Sequence, residues 1–363
     1  MTAMPGTAPE GQTLADLTTT GVGGAPSRIV APETRDELIA AARDVFAEET
    51  DEAPVLIVGG GSNLVIANVP YAGTVLHVVT RGIEMTAADD AGRVRVLVEA
   101  GHPWVELVNA TVDAGLSGIE ALAGIPGSSG AAPVQNIGAY GQEVGERLTR
   151  IEFFDAETGE VEWLAASDLD LGYRTSVLKR RERIGVVTRI ELELERRADG
   201  MSGPVAYSQL ANRLGVELGE RAPLAEVRDA VVALRASKGM VIDENDPDSR
   251  SSGSFFTNPV VLSGHAKELP ENAPKFPAGT ADDGRALTKL SAAWLIEHAG
   301  IHRGFALPGS GAAVSSKHTL AIVNRDGATG EEVAELARFI QARVASEFGV
   351  ELRPEPILVG LEV

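Results

Sequence analysis

Apolar residues recur along this chain in two periods, one helical and one alternating. Residues 28–79 read as strand, helix, strand, turn, strand. Leu38, Ala41, Ala42 and Val45 follow helical spacing behind Thr34 and Glu37, which have the spacing of a capping box. Val55-Leu56-Ile57-Val58 is a short apolar run that stops at Gly59-Gly60-Gly61, the pattern of a buried strand opening into a turn. Val94, Val96 and Val98 alternate with Arg93, Arg95 and Leu97, as in a half-buried strand. Pro103 suits the start of a helix that carries Trp104, Leu107, Val108 and Val112 on one face. Residues 151–154 and 186–194 read as strands and residues 224–237 as an amphipathic helix. Residues 243–252 are polar and contain Pro247, which predicts an inter-domain linker. A last helix places Val333, Leu336, Ile340 and Val344 on one face and stops at Gly349. Helices and strands mix without strict alternation, so α+β domains are expected rather than one doubly wound sheet.

Composition narrows the function. At 363 residues the chain is too long for one ordinary core, and two or three domains are expected. Its formal charge of −20 is spread along the sequence and repels nucleic-acid phosphates, so no nucleic-acid partner is expected. With no cysteine, the chain has no disulfide, thiolate nucleophile, cysteine-held metal or cysteine-linked cofactor. His298 and His302 stand four apart, but Gly300 weakens any helix between them and no third ligand is near, so no metal is expected. No apolar run reaches the ~18–20 residues that span a bilayer. Met1 to Gln12 lacks a basic and an apolar region and reads as a loose leader, which makes the expected location cytoplasmic.

Two glycine-rich segments carry the candidate chemistry. In Gly59-Gly60-Gly61-Ser62-Asn63-Leu64, glycines after a buried strand let backbone N–H groups approach a phosphate, and Ser62 and Asn63 add donors. The dinucleotide fingerprint GxGxxG does not fit, because its last glycine position is Leu64 and a helical pattern does not follow. Residues 124–141 are apolar yet glycine-rich, unlike a surface loop or a core strand, and suit close contact with a flat, bulky ligand.

Both segments resemble the flavin-binding signatures of the UDP-N-acetylenolpyruvoylglucosamine reductases. Further motifs of that family follow in order: Gly172-Tyr173-Arg174-Thr175-Ser176, Gly253-Ser254-Phe255-Phe256-Thr257-Asn258-Pro259 and Pro354-Glu355. Lys289-Leu290, Trp294-Leu295-Ile296 and Gly311-Ala312-Ala313-Val314 fit as well, so the likeness runs from about Thr18 to Gly360. The resemblance implies three domains, two forming an FAD-binding fold of the vanillyl-alcohol-oxidase type and one α+β domain for substrate. The expected division is 1–80 and 81–240 for flavin, 241–349 for substrate, and 350–363 returning to the active site.

It also implies non-covalent FAD, NADPH as hydride donor, and reduction of UDP-N-acetylglucosamine enolpyruvate to UDP-N-acetylmuramate for peptidoglycan. The flavin would be held by Gly59, Gly60, Gly61, Ser62, Asn63 and Leu64, and by Ile125, Pro126, Gly127, Ser128, Ala131, Ala132, Val134, Gln135, Asn136, Gly138, Ala139 and Tyr140. By motif, Arg174 and Glu355 stabilise the enolate-like species and Ser254 is the proton donor. Tyr173, Arg174, Tyr207, Lys238, Asn258 and His298 carry over as substrate contacts, Tyr207 marking the tyrosine-loop subtype. Three departures stand out: His298 falls where relatives often have glutamine, the stretch 239–252 is longer than in some members, and Ala131 and Ala132 stand where some relatives have small hydroxyl residues. Small molecules are the only partners expected, of a monomer. Two rivals stay open at this point, a small-alcohol oxidase or dehydrogenase on the same flavin scaffold and a non-catalytic nucleotide-binding protein.

Overall fold

The computed structural model describes residues 11–363. The expected leader lies outside the described residues save for Gly11 and Gln12. The chain forms two compact units: Ala25–Gly61 with Pro70–Ser237, and Thr13–Gly24 with Ser62–Val69 and Lys238–Val363. Helices and strands are mixed in both, so the chain is α+β as expected.

The first unit contains two larger sheets and a two-stranded hairpin. Three parallel strands, Pro26–Val30, Tyr71–His77 and Val55–Val58, lie with Tyr71–His77 in the middle. Helix Arg35–Ala47 makes the crossover that parallel strands require. Its Thr34–Glu37 capping box is formed, and Leu38, Ala42 and Val45 are buried. The larger, six-stranded sheet has the long strand Gly185–Arg196 between Leu148–Asp155 and Arg93–Glu99. Along Arg93–Glu99 the valines at 94, 96 and 98 are buried and the arginines at 93 and 95 exposed, as the alternation predicts. Helix Trp104–Asp113 follows Pro103, with Trp104, Leu107, Val108 and Val112 in the core of this unit.

One polar cluster joins the crossover helix to two strands of the larger sheet. Glu152, buried in strand Leu148–Asp155, accepts from Arg35 on the crossover helix at 2.6 and 2.9 Å. It also accepts from Arg189 at 2.6 and 3.1 Å and from the Thr188 hydroxyl at 2.7 Å. Two guanidinium forks and one hydroxyl thus satisfy a carboxylate that would otherwise be costly to bury.

In the second unit, Ser251–Ser254, Ala321–Asn324 and Ala312–Val314 form an antiparallel sheet, and Val260–Leu262, Ala286–Leu290 and Lys275–Thr280 form another. The C-terminal strand Ile357–Val359 runs parallel to Leu64–Ile66, a pairing that ties residues 62–69 to this unit. Helix Gly330–Phe348 buries Val333, Leu336, Ile340 and Val344 and ends at the left-handed Gly349.

The predicted linker is a correction. Residues 243–252 belong wholly to the second unit, and the Asp248 carboxylate is buried there. It accepts from the Ser316 N–H and hydroxyl and from Arg325. The segment is polar because it carries a buried hydrogen-bonding acceptor, and the boundary between units falls earlier, between Ser237 and Lys238.

Candidate active site

In the first unit the two glycine segments pack on each other. A Cβ on Gly60 would lie 2.6 Å from the Gly127 Cα, and one on Gly59 would lie 2.1 Å from the Ser128 Oγ. Only glycine allows backbone to touch backbone here. Among the described residues, the N–H groups of Gly60, Gly61, Gly127 and Ser128 donate to no protein acceptor. A patch of unpaired backbone donors is a ready binding surface for the diphosphate of a dinucleotide, so these residues fit FAD.

From Ser129 to Gln135 the second segment winds into a 3-10 helix, with Ala132 buried and Ala131 exposed. Its start is fixed by the His102 carbonyl, which accepts from both the N–H and the hydroxyl of Ser129. Asn136 ends it in the left-handed region at φ 47°. The Asn136 amide donates to a Glu143 carboxylate oxygen at 2.7 Å and to the Gly172 carbonyl at 3.2 Å, and accepts from the Gly145 N–H at 2.9 Å. A hairpin then pairs Gly138–Ala139 with Gln142–Glu143.

Beside this stretch lies the turn of the Gly172 motif, closed by paired bonds between Gly172 and Thr175. Arg174 is left-handed at φ 56°, and its guanidinium donates to the Gly138 carbonyl at 2.7 Å. The buried Ser176 hydroxyl donates to the Val134 carbonyl at 2.6 Å and accepts from the N–H groups of Leu178 and Lys179. Gln135 accepts from Lys179. Tyr173 is exposed at the tip. Tyr140, also left-handed, meets the exposed Tyr207 edge-on with ring centres 5.6 Å apart.

Arg235 is a basic group the sequence reading missed. It lies in the last turn of helix Leu224–Ala236 and donates to the Gly124 carbonyl at 3.1 Å. Burial pushes its guanidinium down to about 10, Tyr140 pulling it up and Arg174 pushing it down. Its only sequence signal is an arginine in an otherwise ordinary helix end.

In the second unit, Ser254 ends its strand after an irregularity at Ser252 and the left-handed Gly253. The next residue, Phe255, is buried, and its carbonyl accepts from the Glu355 N–H at 2.8 Å. Phe256 pairs with Pro354, and the Thr257 N–H donates to the Arg353 carbonyl. The structure therefore brings the segments of Ser254 and Glu355 side by side. Asn63 joins them, its amide donating to the Glu355 carbonyl and its carbonyl accepting from the Ile357 N–H. Ser62 and Leu64 flank Asn63 in this unit.

Other predicted contacts divide here. Lys238 acts on His318, whose imidazole burial pushes down to about 4, with Lys238 and Arg303 adding to the shift and Glu297 opposing it. Glu297 accepts from the Thr319 hydroxyl. His298, the next residue, is exposed and stacks on Trp294 with ring centres 3.8 Å apart, its Nδ1 2.8 Å from the Trp294 carbonyl. The helix ends there, which leaves His302 outside it. The Asn258 side-chain oxygen accepts from the Ala292 N–H at the start of that helix.

A backbone cradle for a diphosphate on an α+β scaffold defines an FAD-binding flavoprotein, and residues 14–165 match the family model described as FAD binding domain. Residues 246–359 match the model described as UDP-N-acetylenolpyruvoylglucosamine reductase, C-terminal domain. The UDP-N-acetylenolpyruvoylglucosamine reductase of Leifsonia xyli is 52% identical, covering 96% of this chain and 98% of its own. That of Thermobifida fusca is 44% identical over 96% and 97%. The crystal structure of the reductase from Thermus caldophilus superposes with a TM-score of 0.63 at 27% identity, over 97% of this chain and 99% of that one. The chain belongs to the UDP-N-acetylenolpyruvoylglucosamine reductase family.

Proposed function

We propose that the chain uses NADPH to reduce UDP-N-acetylglucosamine enolpyruvate to UDP-N-acetylmuramate, a peptidoglycan precursor, as a cytoplasmic monomer. Bound FAD supplies the hydride carrier. The backbone donors of Gly60, Gly61, Gly127 and Ser128 hold its diphosphate. Arg174 meets the negative charge that builds on the substrate carboxylate, where a forked cation is most effective. Ser254 delivers the proton to C2, and Glu355 shares the stabilisation of the enolate-like species. Tyr207 offers a flat face and one hydroxyl to the nucleotide, and Lys238 a mobile positive charge to the diphosphate. Asn258 and His298 complete the substrate contacts, and Tyr173 borders them. In this reading residues 1–80 and 81–240 serve the flavin, 241–349 the substrate, and 350–363 bring Glu355 back.

The observation that carries the reading is the pairing of the Ser254 and Glu355 segments through Phe255. Oxidation of an alcohol is not favoured, because it leaves that pairing without a task. The experiment is spectroscopic. Purified protein should show oxidised flavin, bleach with NADPH, and recolour without oxygen when UDP-N-acetylglucosamine enolpyruvate is added. Recolouring only on exposure to air would overturn the substrate assignment, and a colourless protein that takes up no FAD would overturn the enzyme.

A further inference from the structure

The Arg174 turn touches the segment after Val134 at three successive points. Ser176 donates to the Val134 carbonyl, Asn136 donates to the Gly172 carbonyl, and Arg174 donates to the Gly138 carbonyl. The turn needs such tethers. A left-handed arginine is strained by roughly 1–3 kcal/mol and persists only where its surroundings hold it. The middle tether is the only one of the three that grips the root of the turn through a side-chain amide, and that amide's orientation is itself fixed. Glu143 accepts from Nδ2, and the Gly145 N–H donates to Oδ1. A flipped amide would set its oxygen against the Glu143 carboxylate and its NH₂ against the Gly145 N–H, so one orientation is enforced. The local packing is close as well. A Cβ on Gly145 would lie 2.9 Å from the Asn136 Oδ1, and one on Gly138 would lie 2.9 Å from the Glu143 Cγ and 3.4 Å from an Arg174 Nη1.

We propose that Asn136 and Glu143 form a positioning pair for Arg174: Glu143 orients the Asn136 amide, and the amide holds the Gly172 carbonyl so that the guanidinium is aimed before substrate arrives. Asn136 thereby acts on the reaction through Arg174 and not through its side chain on the flavin. The inference rests on the reading that Arg174 serves the substrate carboxylate.

The test compares wild type, Asn136→Asp, Arg174→Lys and the double variant in the full-length, flavin-loaded protein. Aspartate tolerates the left-handed backbone and keeps the bond from the Gly145 N–H, but loses the donor to Gly172 and faces Glu143 with like charge. Stopped-flow absorbance follows bleaching by NADPH and recolouring by UDP-N-acetylglucosamine enolpyruvate as separate phases. Asn136→Asp should slow the recolouring phase roughly 10–100-fold, the scale on which small misplacements act. In the Arg174→Lys background the same change should cost less than about threefold, because residues acting as one unit are not additive. The FAD dissociation constant should change less than about threefold in either background.

Equal slowing in both backgrounds, no slowing at all, or a large loss of FAD affinity would overturn the positioning role. If Arg174→Lys itself leaves recolouring intact, the reading of Arg174 has failed, and the result is distinct from a failed pair. Should Asn136→Asp not fold, Glu143→Ala and Glu143→Gln decide. Loss of the acceptor should slow recolouring about tenfold, while glutamine, which keeps an oxygen in place, should stay within about threefold. Equal loss in both, or none in either, would overturn the role of Glu143.

Discussion

Arg174 stands on a turn held largely by side chains, whereas Ser254 and Glu355 stand on segments held by backbone. Backbone bonds between Gly172 and Thr175 close the turn, but Ser176, Asn136 and Arg174 itself make the bonds that tether it to residues 134–138. The Ser254 region is fixed by main-chain bonds from Phe255 to Leu320 and from Glu355 to Phe255. The difference has a consequence for mutation. In the turn, the side chains that make the geometry are also the ones that would be changed, so stability and activity are coupled. In the paired segments, the functional side chain can be removed while the scaffold stays.

The sharpest way to break that comparison is Ser254→Ala. The recolouring phase should fall by the ~10²–10⁴-fold typical of losing a positioned acid, with NADPH bleaching unchanged. The melting temperature should hardly move, and Ser254→Cys should recover part of the rate. Loss of both phases together in a folded, yellow protein would make Ser254 structural and the two regions alike.

Ser176→Ala is the milder counterpart. It removes three hydrogen bonds from a buried hydroxyl and leaves the Val134 carbonyl and two N–H groups short of a partner. About 1–3 kcal/mol of stability should be lost, read from denaturant unfolding. Substrate reduction should fall with it, by up to roughly 10²-fold. A large rate loss at unchanged stability would show that the turn, too, separates the two properties.

Much of this was legible beforehand, for local reasons. The Thr34–Glu37 box, the alternation in Arg93–Glu99 and the Pro103 helix start are set by neighbours in sequence, and each formed as expected. The glycine segments announced backbone contact, though much of that contact is made with each other. Three features had no local signature. The Leu64–Ile66 strand joins a partner from the far end of the chain. Asp248 turns an apparent linker into a fixed loop through Ser316 and Arg325, both distant in sequence. Left-handed Tyr140 and Arg174 are conformations that propensity does not foresee for these residue types, Arg174 being held by its bond to the Gly138 carbonyl. Of the site, motif order named Ser254 and Glu355 and included Asn136 and Ser176, while the tethering bonds of those two and the whole of Arg235 came forward only in three dimensions.

The Glu152 carboxylate, which joins the crossover helix to the larger sheet of the first unit, also sets how this unit meets acid. Burial alone would raise Glu152, yet Arg35, Arg189 and Thr188 hold it at about 2 against an ordinary 4.5. A carboxyl held below its unfolded value contributes stability that is complete above about pH 4.5 and is lost as pH falls through about 2. The span corresponds to about 3 kcal/mol. Thermal unfolding followed from pH 5 to pH 2 should steepen in wild type and flatten in Glu152→Gln. Helix Arg35–Ala47, which supplies one of the two forks, should be among the first elements to exchange amide hydrogens as the acid limit nears.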